Sequence, residues 1–372
     1  MRFLVTGGPV HAHLDDVKII TNKFRGGRME ALATGLAGFG HDVIYLTARH
    51  TPPSSNTFAT VWLHDGFDDY LAKILKAGEL GIDAFVLGAA VANLVPISPW
   101  KGKFPSHQYK PGDRVDIPFM VAPRIINDIR RKFPESKLFG FKLLSGAPYS
   151  ELIEAAHEVA FDSRATAVFA NDAKDLDRKY AVTKDMVVQP LAADDLPKFI
   201  VDYTWDTYYR TEPCQASWDG MDAAIGRAER LVARFADRFQ PVGARGLVFG
   251  TVACRIPGSG SLAFVTTRRG KTEIGGGWEA VSAVYHENMV VQASGKASLN
   301  APLLHWIFAH VPETEAIVHY HQAECPELHR LSYFPPGTAR DSQREVRGSF
   351  SIQGHGAFLL FGEDEREPIP WR

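Results

Sequence analysis

Five of the 14 histidines set the first chemical question. His319 and His321 lie two apart in "EAIVHYHQ", and His355 stands between two glycines in "QGHGAF". Imidazole nitrogen suits borderline metal ions, and a catalytic Zn²⁺ takes three protein ligands and keeps a fourth position open. The composition of "EAIVHYHQ" predicts a strand. Residues i and i+2 of a strand project to the same face, so His319 and His321 point together. His355 is the third candidate ligand, drawn close by glycines that permit a tight turn. Three satisfied core histidines would share this pattern, and spacing alone does not separate the two readings. A second pair, His11 and His13 in "VHAHL", follows a glycine turn. No regular spacing orients it and no third ligand is evident nearby. It reads as two loop histidines, solvated or facing a phosphate, and not as a metal site.

The elements that must position these groups differ between the two halves. "RFLVTGGP" reads as a buried strand and a glycine turn. Ligands on open parallel sheets bind beyond the carboxyl ends of the strands, so Gly7 and Gly8 are candidates for close backbone approach to a phosphate. Helical "GRMEALATGLAGFG" follows, then the strands "HDVIYLTA", "DAFVLGAAVA", "KLFGFKLLSG" and "ATAVFAND", with helical stretches between them. This β-α alternation predicts a Rossmann-like, three-layer domain with a parallel sheet over residues 1–211. The character changes at "EPCQASWD", residues 212–219, which reads as a linker. Residues 220–372 begin with one helix and continue with closely spaced strands, predicting an α/β/α domain with a mostly antiparallel sheet.

The 372 residues suit two domains. A 45% hydrophobic and 23% charged composition is that of a soluble globular chain. The net charge is -2 with no basic block, which argues against nucleic acid or a membrane surface as partner. No signal-peptide pattern opens the chain, and no apolar run approaches the ~20 residues of a membrane span. Cys214, Cys254 and Cys325 form no C-x-x-C pair, so a disulfide framework is not expected and a cytoplasmic location is.

Residues 1–205 resemble phosphopantothenoylcysteine synthetase, a ligase of coenzyme A synthesis. The resemblance rests on "VTGG", "ITNKFRGGRM", "AAVANLVPISPWKGK", "FGFKLLSG" and "ATAVFAND", in that order. It implies CTP-dependent activation of a carboxylate. It further implies that Asn22 contacts the acyl intermediate, that Ala89 and Ala90 line the nucleotide site by backbone, that Lys103 meets the phosphates and that Phe141 packs near the base. Asn171 and Asp172 fall on the family's A-N-D motif. The chain departs from the pattern where Asn93 replaces an aspartate and where Val159 and Ser163 replace two lysines. Arg25 and Arg28 supply charge in the "FRGGRM" loop.

Residues 220–362 resemble the class II aldolase/adducin domain through "GTVACR", "TRRG", "SLNAPLL", "VHYH" and "GHG". The resemblance implies a metal, Zn²⁺ or another divalent ion, on His319, His321 and His355, acting on a phosphorylated small molecule at a subunit interface of a dimer or tetramer. Thr251, Arg268 and Arg269 are the anion-binding candidates. Asn300 stands where the family carries its acid, and an amide is no general base. The proton carrier is then sought in the loop holding Glu324, Glu327, Asp341 and Glu345, with Glu324 nearest in sequence. The leading expectation is a metal-dependent lyase or dehydratase whose N-terminal domain binds CTP, another nucleotide or a pantothenate-like ligand. A CTP-dependent ligase with a structural or regulatory C-terminal domain is the second reading, and a non-catalytic ligand-binding protein the third.

Overall fold

The computed structural model describes residues 1–54, 60–215, 218–242, 245–259, 262–322 and 325–372. The chain forms two compact units, one of residues 1–184 and 191–204, the other of residues 185–190 and 205–372. Among the described residues no helix is long and apolar enough to cross a membrane.

In the first unit, strands run in the order Thr60–His64, Asp42–Ala48, Arg2–Thr6, Ala84–Leu87, Lys137–Leu144, Ala167–Asp172 and Asp175–Val182. All pair in parallel except the last, which returns antiparallel to its neighbour. Numbered in chain order, the six parallel strands follow the 3-2-1-4-5-6 arrangement of doubly wound sheets. Such an order has one switch point, here between Arg2–Thr6 and Ala84–Leu87. The chain segments leaving these two strands carry Gly7–Gly8 and Ala89–Ala90. The strands are buried through runs such as Phe3, Leu4 and Val5, because helices cover both faces of a parallel sheet.

The second unit holds a mixed sheet in the order Arg210–Pro213, Val290–Ala293, Trp278–Tyr285, Phe264–Thr267, Thr251–Arg255, Ala316–Tyr320, Gly356–Phe361, Phe350–Ile352 and His329–Leu331. Only the two outermost pairs are parallel. Alternate residues serve opposite faces. Val252, Cys254, Val318 and Tyr320 pack with the helix Met221–Arg234. Ala253, Ile317 and Phe358 pack with the helix Ala301–His310 on the other side. His319 shares the parity of Ile317 and so belongs to this second face.

Two boundaries differ from the sequence reading. Arg210–Pro213, expected at the end of the first domain and in the linker, is an edge strand paired with Val290–Ala293 of the second unit. Residues 185–190, expected within the first domain, also belong to the second unit. Short polar edge strands and brief excursions bury too little surface to leave a periodic signal.

The turn before the last strand is set by sterics. Gly354 and Gly356 have φ of 70° and 131°. A Cβ on Gly354 would lie 2.3 Å from the Val188 carbonyl oxygen, and one on Gly356 would lie 2.1 Å from that of Tyr320. Gly356→Ala is therefore expected to cost about 2 kcal/mol or more, read as a lower urea midpoint at unchanged slope. An unchanged midpoint would show that the turn relaxes freely.

Candidate functional site

His319, His321 and His355 come together at the end of the Ala316–Tyr320 strand. One ring nitrogen from each lies within 4.8 Å of the others. His319 is fully buried, its ring stacked on its cross-strand partner Phe358 at 4.0 Å between centroids. Phe358 in turn stacks on Phe350. His321 follows the last strand residue, and His355 is held by the two flanking glycines.

Hydrogen bonds orient two of the rings. His319 Nδ1 lies 2.9 Å from the Ala357 carbonyl, and His321 Nδ1 lies 3.1 Å from the Met186 carbonyl. A carbonyl only accepts, so each Nδ1 carries the proton and each Nε2 keeps its lone pair. Metal-ligating histidines are commonly oriented this way. His319 Nε2 and His355 Nδ1 are buried without hydrogen-bond partners among the described residues. A buried polar atom left unpaired is costly, and a metal ion satisfies it. Met186 presents its carbonyl at a φ of 57°, a left-handed conformation unusual for a side-chain-bearing residue. Burial is the main cause depressing the basicity of all three rings, bringing His321 to about 4. They are accordingly neutral at pH 7, the form in which imidazole ligates. The donor set fits a divalent transition ion such as Zn²⁺.

A hydroxyl chain flanks the triad. Thr251 is the register partner of His319, so the two side chains share a face. Thr251 Oγ1 lies 2.7 Å from Ser298 Oγ, which accepts from Asn300 N at 3.2 Å. Asn300 caps the helix Ala301–His310 by position, while its Oδ1 is buried without a partner among the described residues. Thr251 and Asn300 are thus joined through Ser298, a link that sequence spacing did not reveal. Arg268 lies exposed after the strand Phe264–Thr267, while Arg269 beside it keeps accessible surface but is desolvated enough to lower its basicity, an effect that the charge of Asp185 opposes. The cation acting on His319 and His321 is Lys271, whose Nζ donates to Gly250 O at 2.8 Å and whose burial pulls it down to about 8.

Of the loop acids, Glu324 lies outside the described residues. Glu327 and Glu345 are exposed. Asp341 is buried and pairs with Arg344 at 2.6 Å. Burial outweighs that pairing and pushes its carboxyl up to about 6. The charge of Arg344 also acts on His355, adding a minor contribution to the lowering of its basicity.

In the first unit, the switch point gathers part of the expected set. Asn22 Nδ2 donates to Ala90 O at 3.0 Å. Several amides there are already committed: Gly7 N to Leu46 O, Ala90 N to Gly8 O, and Ala89 N to Thr6 Oγ1. Asn93 and Lys103 are exposed. Phe141 packs on Phe169 at 5.1 Å. Asn171 donates to Phe169 O and accepts from Lys179 Nζ, and Asp172 accepts from Gly146 N and Lys174 N. Lys179 is a buried lysine absent from the sequence reading, pulled down to about 8 chiefly by burial. Arg28 pairs with Asp177 at 2.8 Å.

The reading of His11 and His13 as unpartnered loop residues is corrected. His13 lies in a short strand, Ala12–His13, and His11 directly precedes it and is buried. A third donor stands beside them: Asp65 Oδ1 is 3.1 Å from His11 Nε2 and 4.0 Å from His13 Nε2. It is 54 residues from His11 in the chain, too far for any local pattern to show.

The family model described as DNA/pantothenate metabolism flavoprotein C-terminal domain matches residues 1–195. No curated protein matches the chain. Among solved structures, the DNA/pantothenate metabolism flavoprotein from Streptococcus pneumoniae is 21% identical, with 54% of this chain and 96% of that chain covered at a TM-score of 0.47. YgbL from Klebsiella pneumoniae is 16% identical, with 39% and 81% covered at a TM-score of 0.29. An L-fuculose 1-phosphate aldolase is 14% identical, with 40% and 77% covered at a TM-score of 0.28.

The depressed imidazoles give a signed pH dependence. Between the ordinary histidine value of 6.5 and about 4, the unfolded chain binds protons that the folded His321 refuses. Stability therefore falls on acidification through that window, by on the order of 1 kcal/mol per pH unit for each such histidine. Calorimetry of the metal-free protein should show a melting temperature that drops from pH 6.5 toward pH 4 and is flat just above pH 7. A melting temperature that rises on acidification through this window would contradict the assignment of neutral rings.

Proposed function

This chain belongs, over residues 1–195, to the DNA/pantothenate metabolism flavoprotein C-terminal domain family, and from that premise we propose a two-domain metabolic enzyme whose second unit performs metal-dependent lyase or dehydratase chemistry on a phosphorylated small molecule. His319, His321 and His355 would hold the ion, with Zn²⁺ the first choice. The observation that carries this reading is the pair of buried, unpartnered nitrogens, His319 Nε2 and His355 Nδ1, within a three-histidine cluster. When bound, the ion supplies Lewis-acid polarisation of a substrate oxygen.

The remaining work falls to the chain itself. The Thr251–Ser298 hydroxyls would orient a polar substrate group, and Lys271 would hold an anionic one at short range. Asn300 would donate or accept hydrogen bonds without taking a proton. Asp341, with its carboxyl near 6, is the described loop acid best poised to exchange a proton close to neutral pH. The first unit would bind a nucleotide or pantothenate-like ligand at its switch point. The protein would work in the cytoplasm as a homo-oligomer.

One observation favours the ligase reading: Asn22 reaches Ala90 at the switch point, joining two residues that the synthetase resemblance assigns to the acyl and nucleotide ligands. Incubation with CTP, 4'-phosphopantothenate and cysteine decides it, since absence of pyrophosphate release removes that reading.

For the leading proposal, His321→Ala should lower the Zn²⁺ content of the full chain by one ion and reduce turnover of phosphorylated ketose and aldol substrates about 100-fold or more. Metal content unchanged by this substitution would sink the proposal. Asp341→Asn should keep the ion and lower kcat by about 100-fold. An unaltered kcat would remove Asp341 from the chemistry while leaving the metal assignment standing.

A further inference from the structure

We propose that the first unit carries a second, separate metal site, formed by His11, His13 and Asp65, that takes a divalent transition ion such as Zn²⁺. One donor atom from each residue lies within 4.8 Å of the others. Two imidazoles and one carboxylate form a donor set that suits Zn²⁺, Fe²⁺ and their neighbours, and it does not suit Mg²⁺ or Ca²⁺, which prefer oxygen.

The position of Asp65 is informative. It occupies the N-cap of the helix Gly66–Gly78, where an aspartate ordinarily accepts a backbone N–H. Here its side chain makes no capping hydrogen bond. Its Oδ1 turns instead to His11 Nε2 at 3.1 Å and stands 4.0 Å from His13 Nε2. The next residue, Gly66, has a φ of 82°. A Cβ there would lie 3.1 Å from His13 Nε2 and 3.5 Å from His11 Nε2, so the glycine keeps the space beside both donor nitrogens clear. His11 is buried and its other nitrogen, Nδ1, has no hydrogen-bond partner among the described residues. The side chains of His13 and Asp65 are 49% and 56% exposed, which gives an ion a way in. His50 adds a further imidazole, its ring 5.1 Å from that of His11.

The field around the cluster admits a cation. The positive end of the helix dipole opposes one, but Asp68 and Asp69 occupy the first turn and offset it. Lys73 is paired with Asp69 at 2.7 Å. A carboxylate at the centre of the cluster argues against the other ligand that histidines at a helix N-terminus would attract, a phosphate.

The site also has a meaningful address. His11 follows the register pairs Pro9–Ala90 and Val10–Val91, which continue the chain just past the switch point. An ion held there would add positive charge at the carboxyl edge of the parallel sheet, where anionic ligands of such sheets bind.

The test uses the full chain, stripped with chelator, equilibrated with Zn²⁺ alone, desalted and assayed for bound metal. The wild type should retain two ions per chain, and Asp65→Asn and His13→Ala should each retain one. Combination of either with His321→Ala should leave none, whereas His321→Ala alone keeps one. Asp65→Asn is isosteric at a half-exposed position, and an unchanged melting temperature for the metal-free form confirms that it folds. If Asp65→Asn and His13→Ala hold as much Zn²⁺ as their parents, the site does not exist. Thermal stabilisation by inorganic phosphate that His13→Ala abolishes, with no change in bound metal, would overturn the proposal in favour of an anion site. Because the two histidine sets lie on different units and are removed by different substitutions, failure of one assignment leaves the other testable.

Discussion

A buried imidazole must place both of its nitrogens, and the second unit is organised around that requirement. His319 and His321 each spend Nδ1 on a backbone carbonyl, which fixes the tautomer and leaves Nε2 with a lone pair, that of His319 without a hydrogen-bond partner among the described residues. Backbone carbonyls cannot be substituted away by point mutation, so ring orientation here depends on the path of the main chain. Strand pairing supplies Ala357 through the register that also sets Phe358 beneath His319. The ring is held by hydrogen bond on one edge and by aromatic packing on one face. Such restraint lowers the entropy lost when a ligand is bound.

The same logic explains the glycines. His355 approaches the other two histidines because neither neighbour carries a Cβ, and both sit where a Cβ would strike a carbonyl oxygen. In the first unit Gly66 performs the equivalent service beside His11 and His13. In each case backbone freedom is used to bring donor atoms together, and the cost is borne as chain entropy rather than as strain.

Much of this was legible in sequence, for reasons that can be stated. Alternating β and α segments imply a parallel sheet, and period-two spacing implies that His319 and His321 share a face. Both inferences rest on local geometry. What escaped were partners supplied from far away. Asp65 lies 54 residues from His11, and Met186 lies 135 residues from His321. Lys271 and Lys179 became notable only through burial, which a lone lysine in a polar stretch does not announce. Of the expected cations, Arg268 is exposed, whereas Arg269 is desolvated in the same sense as Lys271. Charge type was readable there, and the side chain that turns inward was not.

Residues 185–190 leave the first half of the chain, join the second unit and return. In doing so Met186 supplies the carbonyl for His321, and Val188 N donates to Gly354 O at 3.1 Å, beside His355. The second unit is therefore discontinuous in the gene although compact in space. Cutting the coding sequence anywhere between residues 191 and 220 yields a C-terminal fragment that lacks the peptide orienting one of its own histidines. Modularity of the kind expected from two domains joined end to end does not hold. Recombination that exchanged one half for a homologous half would have to carry this short passage with the half that it does not adjoin.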